Sequence, residues 1–318
     1  MKKLLIITEA GKGIGLGHYT RCSAIQQEAL KNKIDALMLL YLRENSEFSI
    51  KGEVFNWLEN IEKIKEYASY GYVLVDSYLA TSLHFDFLNQ HFKKVFVIDD
   101  YNRIEYRADL IINPNVFFQK KSYKNQNVIG GKELVILRES FKRENPIKPK
   151  ENMNRLLITI GGSDFRNLLP TLLEVALQTT IPEIFIIDPE AKLFSKDLPK
   201  RVHLLAKQTE QEMFDNYQKA DIVISACGQT LHELASMSKP TVGICLDIDQ
   251  EPNQVYYFNQ SFLLKKIEWN NTDLSEKILQ NISFLEPFYV RNLIYHYAPT
   301  LVSKKGTERL LTLLIKNA

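Results

Sequence analysis

Cysteine is scarce in this chain, with only Cys22, Cys227 and Cys245 among 318 residues. An odd count argues against a disulfide framework, and the three cysteines lack the paired spacing of metal ligands. No cluster of His, Cys and Asp has such spacing either, so we expect no bound metal. The cysteine content fits a reducing compartment and predicts a cytoplasmic protein.

Long hydrophobic runs and an excess of one charge are also missing. No apolar stretch approaches the roughly 20 residues that span a bilayer, and the amino terminus has no signal-peptide profile. Lys and Arg number 40 against 38 Asp and Glu, a formal net charge of +2. We therefore expect no integral membrane segment and no nucleic acid partner.

What the chain does contain is the composition of a soluble globular protein, 45% hydrophobic and 25% charged. Short apolar runs rich in β-branched and aromatic residues alternate with helical patterns in each half, which predicts parallel sheets. A polar stretch with two prolines, residues 142–154, breaks the pattern and predicts a linker. The predicted strands are residues 4–8, 34–40, 72–76, 94–99 and 110–112 before this stretch, and 155–160, 183–187, 220–225 and 241–245 after it.

This alternation predicts an α/β protein of two doubly wound, Rossmann-like parallel-sheet domains with an interdomain cleft. We place the N-terminal domain at residues 1–145 and the C-terminal domain at residues 146–318, the latter ending in a helical tail. Ligands of such sheets bind beyond the carboxyl ends of the strands. Four loops at these ends carry candidate chemistry.

The first loop, residues 13–18, follows the first predicted strand and has three glycines spaced two apart. Glycine lets a backbone approach a ligand closely, and the amides that begin the next helix favour an anion. The loop lacks the dinucleotide-binding glycine order and the P-loop lysine, so we expect a nucleotide or sugar-phosphate substrate here and no cofactor. His18 can exchange a proton near pH 7, which makes it the candidate general base. A purely structural turn is the alternative.

The second loop, residues 161–164, closes the first strand of the second half in the same way. Gly162 and Ser163 lie in a turn whose backbone amides suit an anion. Asp164 is better explained as the cap of the following helix than as a catalytic group.

The third loop, residues 225–233, again joins a strand to a helix through a glycine turn. A diphosphate would lie against the free amides near Gly228 to Thr230, helped by the helix dipole. Glu233, one turn into that helix, is placed to accept hydrogen bonds from ribose hydroxyls. A helix-start carboxylate without a ligand explains Glu233 equally well.

The fourth loop, residues 249–254, follows the last predicted strand. Pro252 suits the first turn of a helix, which would direct the amides of Asn253 and Gln254 into the cleft. An ordinary capped helix start is the alternative.

Taken together, these loops resemble those of one family, the UDP-2,4-diacetamido-2,4,6-trideoxy-β-L-altropyranose hydrolases of pseudaminic acid biosynthesis, often called PseG. The resemblance covers roughly residues 1–262, and the turn at residues 227–230 departs from the more serine-rich turn of many relatives. The segments that carry it, in the same order, are residues 15–22, 75–78, 98–101, 109–113, 161–164 and 253–254.

The resemblance implies a MurG-like GT-B fold in which the C-terminal domain holds most of the UDP. It also implies hydrolysis of a UDP-sugar to the free sugar and UDP, with His18 activating the water and with Tyr78 and Asn253 at the catalytic centre. A UDP-sugar would be the partner, with no metal required, and a monomer is favoured. The residues we expect at the substrate are Gly15, Gly17, Arg21, Gly162, Ser163, Ser225, Ala226, Gly228, Thr230, Glu233 and Gln254.

Two other functions remain open from the sequence. A MurG-like glycosyltransferase would use the same fold and UDP loops with an acceptor in place of water. A non-catalytic protein that binds a nucleotide sugar would have no need of His18 where the anomeric carbon is expected.

Overall fold

The computed structural model describes residues 2–11, 13–43, 52–124, 126–143, 146–193 and 197–318. The chain forms two compact units. The first unit is Met1–Arg138 together with Lys304–Ala318, and the second unit is Glu139–Ser303. The predicted architecture of two parallel-sheet α/β domains is confirmed.

The first unit is built on a parallel sheet of seven strands in the order β3-β2-β1-β4-β5-β6-β7 within the described residues. Helices α1 (Gly17–Lys31) and α2 (Ser82–His91) belong to this unit, together with 3₁₀ segments of which Ile61–Tyr70 is as long as α2. The strands are β1 (Lys3–Gly11), β2 (Asp35–Arg43), β3 (Glu53–Val54), β4 (Tyr72–Asp76), β5 (Lys94–Ile98), β6 (Leu110–Asn113) and β7 (Val128–Gly130).

Both faces of this sheet are buried, and β1 shows why its sequence is apolar throughout. Leu4 and Ile6 belong to one hydrophobic cluster, whereas Leu5 and Ile7 belong to another. Successive side chains of a strand point to opposite faces, so a continuous apolar run is what a sheet covered on both sides requires.

The second unit repeats this design on a six-stranded parallel sheet of order β10-β9-β8-β11-β12-β13. Its strands are β8 (Arg155–Thr159), β9 (Glu183–Ile187), β10 (Val202–Leu205), β11 (Ile222–Ala226), β12 (Thr241–Cys245) and β13 (Ile267–Glu268). Its helices are α3 (Leu169–Leu177), α4 (Glu210–Lys219), α5 (Gln229–Ser236), α6 (Glu251–Asn259), α7 (Leu274–Leu285) and α8 (Phe288–Tyr297).

Helix α9 (Gly306–Lys316) lies in the first unit, although we predicted that the tail belongs to the C-terminal domain. Leu310, Leu311 and Leu314 are buried in the same cluster as Leu4 of β1. The physical reason is the apolar face of α9, which the first unit covers.

Gly306 allows this helix to begin close to its neighbour. A Cβ at Gly306 would lie 2.0 Å from the carbonyl oxygen of Val135, so no larger residue fits without a backbone shift. Thr307 Oγ1 donates to the carbonyl of Leu137 at 3.2 Å. The return of the chain to the first unit is therefore built into its sequence.

The division between the units falls at Arg138 and Glu139, just before the predicted linker of residues 142–154. Residues 144 and 145, where we placed the domain boundary, lie outside the described residues. The domain ranges 1–145 and 146–318 stay a prediction.

Candidate active site

The glycine loop that follows β1 folds back on itself before α1 begins. The amides of Ile14 and Gly15 both donate to the carbonyl of Gly11, at 3.0 and 2.9 Å. Gly15 has a φ of +82°, a conformation that favours glycine. No heavy atom of the described residues lies within 4 Å of where a Cβ would stand on Gly15 or Gly17. The loop therefore presents backbone to open space and starts α1 one residue before His18.

His18 is the second residue of α1 and is paired with a carboxylate of the sheet. Its Nδ1 lies 2.7 Å from Oδ1 of Asp76, the last residue of β4. His18 is 5% exposed and Asp76 is fully buried. An ionised carboxylate can only accept, so we assign the proton to Nδ1, which leaves the Nε2 lone pair of His18 available to a substrate.

Asp76 is ionised despite its burial. Burial by itself raises the pKa of a carboxyl, but the charge of Arg21 and the hydrogen bonds from Arg21 and His18 outweigh it and hold the pKa of Asp76 well below its ordinary value. The carboxylate is therefore a permanent acceptor for the His18 proton.

Arg21 joins Asp76 to a second carboxylate, Asp100, which follows β5. Its Nε donates to Asp76 Oδ2 at 2.6 Å and its Nη2 to Asp76 Oδ1 at 2.6 Å. Towards Asp100, Nη1 donates to Oδ1 at 2.8 Å and Nη2 to Oδ2 at 2.9 Å. Burial opposes the ionisation of Asp100, but the Arg21 charge prevails and lowers its pKa. One guanidinium thus holds two carboxylates in fork geometry.

Tyr78 completes this cluster in the first unit. Its hydroxyl donates to Asp100 Oδ2 at 2.6 Å, and its ring meets the His18 ring edge-on with centroids 4.3 Å apart. Burial and the negative charge of Asp100 raise the pKa of Tyr78, so the phenol keeps its proton. The structure therefore brings together three of the predicted site residues, His18, Arg21 and Tyr78.

Glu9 supports the loop that carries Tyr78. This buried carboxylate of β1 accepts from the Tyr78 amide at 2.7 Å, from the Leu79 amide at 3.4 Å and from the Ser77 hydroxyl. The predicted site residues do not include Glu9, Asp76, Asp100 or Asn115, whose amide donates to Asp100 Oδ1 at 2.8 Å. A carboxylate at or just after the end of a buried strand was the available signal for the two aspartates.

In the second unit, the loop after β8 has the predicted cap. Asp164 accepts from the amides of Leu168 and Leu169 at 2.7 and 3.0 Å, so its capping role is confirmed. Gly162 is exposed and Ser163 is half-buried, which leaves both accessible to a ligand.

The residues predicted in the loop between β11 and α5 differ in their exposure. Gly228 and Thr230 are partly exposed at the start of α5, as a diphosphate site requires. Ser225, Ala226 and Glu233 are buried, and the Ser225 hydroxyl donates to the Ala226 carbonyl at 3.0 Å. Only the first pair is open to a ligand in this conformation.

The fourth loop places its two amides differently from the prediction. Asn253 Nδ2 donates to the Cys227 carbonyl at 3.2 Å, next to the start of α5, and Asn253 Oδ1 is buried without a hydrogen-bond partner among the described residues. Gln254 is fully buried and its Nε2 donates to the Ile267 carbonyl of β13 at 2.8 Å. Successive helix positions face different directions, so Asn253 meets the Cys227 backbone, whereas Gln254 lies between the Cys227 side chain and β13.

Gln250 is a residue of this loop absent from the predicted site. Its Oε1 accepts from the amides of Cys227 and Leu246, each at 3.2 Å. It ties the ends of β11 and β12 together beside α5.

In the described part of the chain, no group of three or more His, Cys, Asp or Glu side chains could hold a metal ion. No described helix is long and apolar enough to cross a bilayer.

Comparison with curated proteins gives one informative relative, from Helicobacter pylori. It is named pseudaminic acid cytidylyltransferase and UDP-2,4-diacetamido-2,4,6-trideoxy-beta-L-altropyranose hydrolase, and it is 26% identical over 238 residues. The match covers 72% of this chain but 41% of the relative, so the chain spans less than half of that protein. No protein-family model matches the chain. The relative confirms the resemblance to PseG-like hydrolases that the motifs predict.

Solved structures confirm the fold. MurG of Acinetobacter baumannii superposes with a TM-score of 0.67 and 16% identity over 99% of both chains. MnaA of S. aureus with UDP superposes with a TM-score of 0.66 and 12% sequence identity, over 100% of this chain and 98% of that one. UDP-GlcNAc 2-epimerase from Neisseria meningitidis bound to UDP-GlcNAc superposes with a TM-score of 0.60 and 14% sequence identity, over 99% of this chain and 100% of that one. The chain has the GT-B fold of these enzymes.

Proposed function

We propose that this protein hydrolyses a UDP-activated 2,4-diacetamido-trideoxy sugar to the free sugar and UDP, in the biosynthesis of a nonulosonic acid such as pseudaminic acid. The observation that carries the proposal is the His18–Asp76 pair, buried and 2.7 Å long, at the start of α1. The hydrolase named in the Helicobacter pylori relative supplies the substrate class.

In the proposed reaction, His18 Nε2 takes a proton from water as the water oxygen bonds to the anomeric carbon. The bond from that carbon to the diphosphate oxygen breaks, and its electron pair leaves with UDP. Asp76 stabilises the imidazolium that forms, because it accepts the Nδ1 proton throughout. A general base of this kind contributes roughly 10²–10⁴-fold to the rate.

The second unit would hold the leaving group. The exposed amides at Gly228 and Thr230, at the positive end of α5, suit the charge that develops on the diphosphate. The accessible Gly162 and Ser163 would add backbone and hydroxyl donors. Asn253 is proposed at the catalytic centre, because its Nδ2 donates to the Cys227 carbonyl beside α5 and its Oδ1 has no partner among the described residues. This scheme needs no metal.

The other predicted residues have less direct parts in the proposal. The backbones of Gly15 and Gly17 border open space beside His18 and are proposed to approach the sugar. The buried Ser225, Ala226, Glu233 and Gln254 would contact UDP only after a local rearrangement. We propose a cytoplasmic location, in agreement with three buried, free cysteines, and a monomer acting on a UDP-sugar.

A MurG-like glycosyltransferase is the second candidate, favoured by the fold shared with MurG. The same base would then deprotonate an acceptor hydroxyl in place of water. The two functions differ in whether turnover requires an acceptor.

The test is proton NMR of the protein with UDP-2,4-diacetamido-2,4,6-trideoxy-β-L-altropyranose and no acceptor. We expect free sugar and UDP to form with the wild type, with a loss of about 10²–10⁴-fold in His18→Ala. His296→Ala is the matched control, since this histidine is exposed on α8. An unchanged substrate spectrum despite line broadening on binding would contradict the hydrolase for this sugar and favour the transferase.

A further inference from the structure

Most hydrogen-bond donors of Arg21 are already used within the protein, which leaves few for a ligand. Its side chain is 10% exposed, and Nε, Nη1 and Nη2 all donate to Asp76 or Asp100 at 2.6 to 2.9 Å. A guanidinium carries five protons, and four of these are used inside the cluster. The substrate contact predicted for Arg21 is therefore difficult to reconcile with its position.

The approach of Arg21 to His18 is electrostatic and not a hydrogen bond. Nη2 lies 3.2 Å from His18 Nδ1, but both Nη2 protons point to carboxylates, one on Asp76 and one on Asp100. Nδ1 carries its own proton towards Asp76. A positive charge this close to the ring opposes a second positive charge on it.

We infer that Arg21 is a positioning residue that holds Asp76 against His18 and opposes a positive charge on the His18 ring, and not a substrate ligand. This inference rests on the proposed function for its catalytic meaning. Without Arg21, two carboxylates would face the ring with no cation between them. They would favour a proton on His18 more than the intact cluster does, which disfavours the ring as a base.

The charges around His18 determine whether a substitution of Arg21 or Asp100 favours or disfavours a proton on its ring. With Arg21 present, the two aspartates and the guanidinium sum to one negative charge, and proton uptake by His18 neutralises it. Replacing Arg21 by Gln leaves two negative charges, whereas replacing Asp100 by Asn leaves none. Among the described residues, His18 contacts Asp76 at the end of β4, Arg21 on α1 and the Tyr78 ring in the loop after β4. Cys22 and Asp100 contact Asp76 and Tyr78 in turn.

The experiment follows the His18 ring by proton–nitrogen correlation NMR in the free protein across pH, with His18→Ala to assign its signals. We expect Arg21→Gln to move the midpoint of the ring titration about one to three pH units higher, and Asp100→Asn to move it lower. Arg21→Lys keeps the charge and should move it less than Arg21→Gln. Because no substrate is present, failure of the proposed hydrolysis would not affect this measurement.

Kinetics separate positioning from binding. The acid limb of kcat/KM should move with the ring titration, and Arg21→Gln should regain most of its kcat at high pH with KM within about threefold of the wild type. An unchanged midpoint with a KM raised more than about tenfold would identify Arg21 as a substrate ligand and overturn the inference. If Arg21→Gln does not fold, the isosteric Asp100→Asn decides, and an unchanged midpoint there would equally overturn it.

Discussion

Asp76 determines which nitrogen of His18 is basic. In Asp76→Asn, the side-chain amide could donate to Nδ1, which would move the proton to Nε2 and remove the lone pair from the substrate side. We expect kcat for hydrolysis to fall by about 10⁴-fold, as for loss of the carboxylate in a triad, with little change in KM. Steady-state kinetics measure this.

Asp35→Asn is a suitable control for this prediction, because Asp35 is 58% exposed and begins the neighbouring β2. It should retain wild-type kinetics. A wild-type kcat in Asp76→Asn would show that His18 does not act through the tautomer assigned to it.

At this site, candidate residues were easier to select from the sequence than their hydrogen-bond partners. His18 was identifiable because it follows a glycine turn after a strand, a local signal. Its carboxylate Asp76 lies 58 residues away and Asp100 lies 79 residues from Arg21, so these pairings depend on the order of β4 and β5 in the sheet. Whether a strand-end aspartate caps a loop or pairs with a helix cannot be decided from one sequence.

At the scale of elements, strand length decided what could be predicted. The central strands were predicted because a doubly covered parallel strand is a continuous apolar run. The edge strands β3, β7, β10 and β13 have two to four residues and no fully buried run, so they gave no comparable signal. The packing of α9 against α1 in the first unit differs from the predicted domain range, since an apolar helix face does not by itself show which part of the chain covers it.

Helix α9 should contribute measurably to the stability of the first unit. Leu310 is fully buried in the hydrophobic cluster that α9 shares with α1, so Leu310→Ala should lower the free energy of unfolding by about 2–5 kcal/mol. Ile315 on the same helix is 40% exposed, and Ile315→Ala should cost far less. Urea denaturation followed by circular dichroism measures both. Equal effects of the two substitutions would show that α9 is not docked as described.

For the whole molecule, the two carboxylates that Arg21 binds make the free energy of unfolding depend on pH. The pKa of both Asp76 and Asp100 is lowered on folding, so the stabilisation they provide is complete above their ordinary value near 4 and is lost as pH falls towards the folded values. Asp100→Asn should destabilise the protein by about 1.5–3 kcal/mol at pH 7, because it weakens charged hydrogen bonds while Arg21 stays paired with Asp76. The difference from wild type should shrink at pH 3.

Urea unfolding of both proteins at the two pH values tests this dependence. A constant difference between wild type and Asp100→Asn would show that Asp100 is not ionised in the folded protein. The two-unit architecture makes it advisable to follow the first unit separately, because the units need not unfold in one transition.

The return of the chain to the first unit sets an order of events on the ribosome. Residues 1–138 are synthesised first, but their hydrophobic cluster includes Leu310, Leu311 and Leu314 of α9. The second unit ends at Ser303, before α9 in the chain. We therefore expect residues 1–138 to remain incompletely packed during translation until α9 has been synthesised. Until then, the surface that α9 covers would be exposed to chaperones.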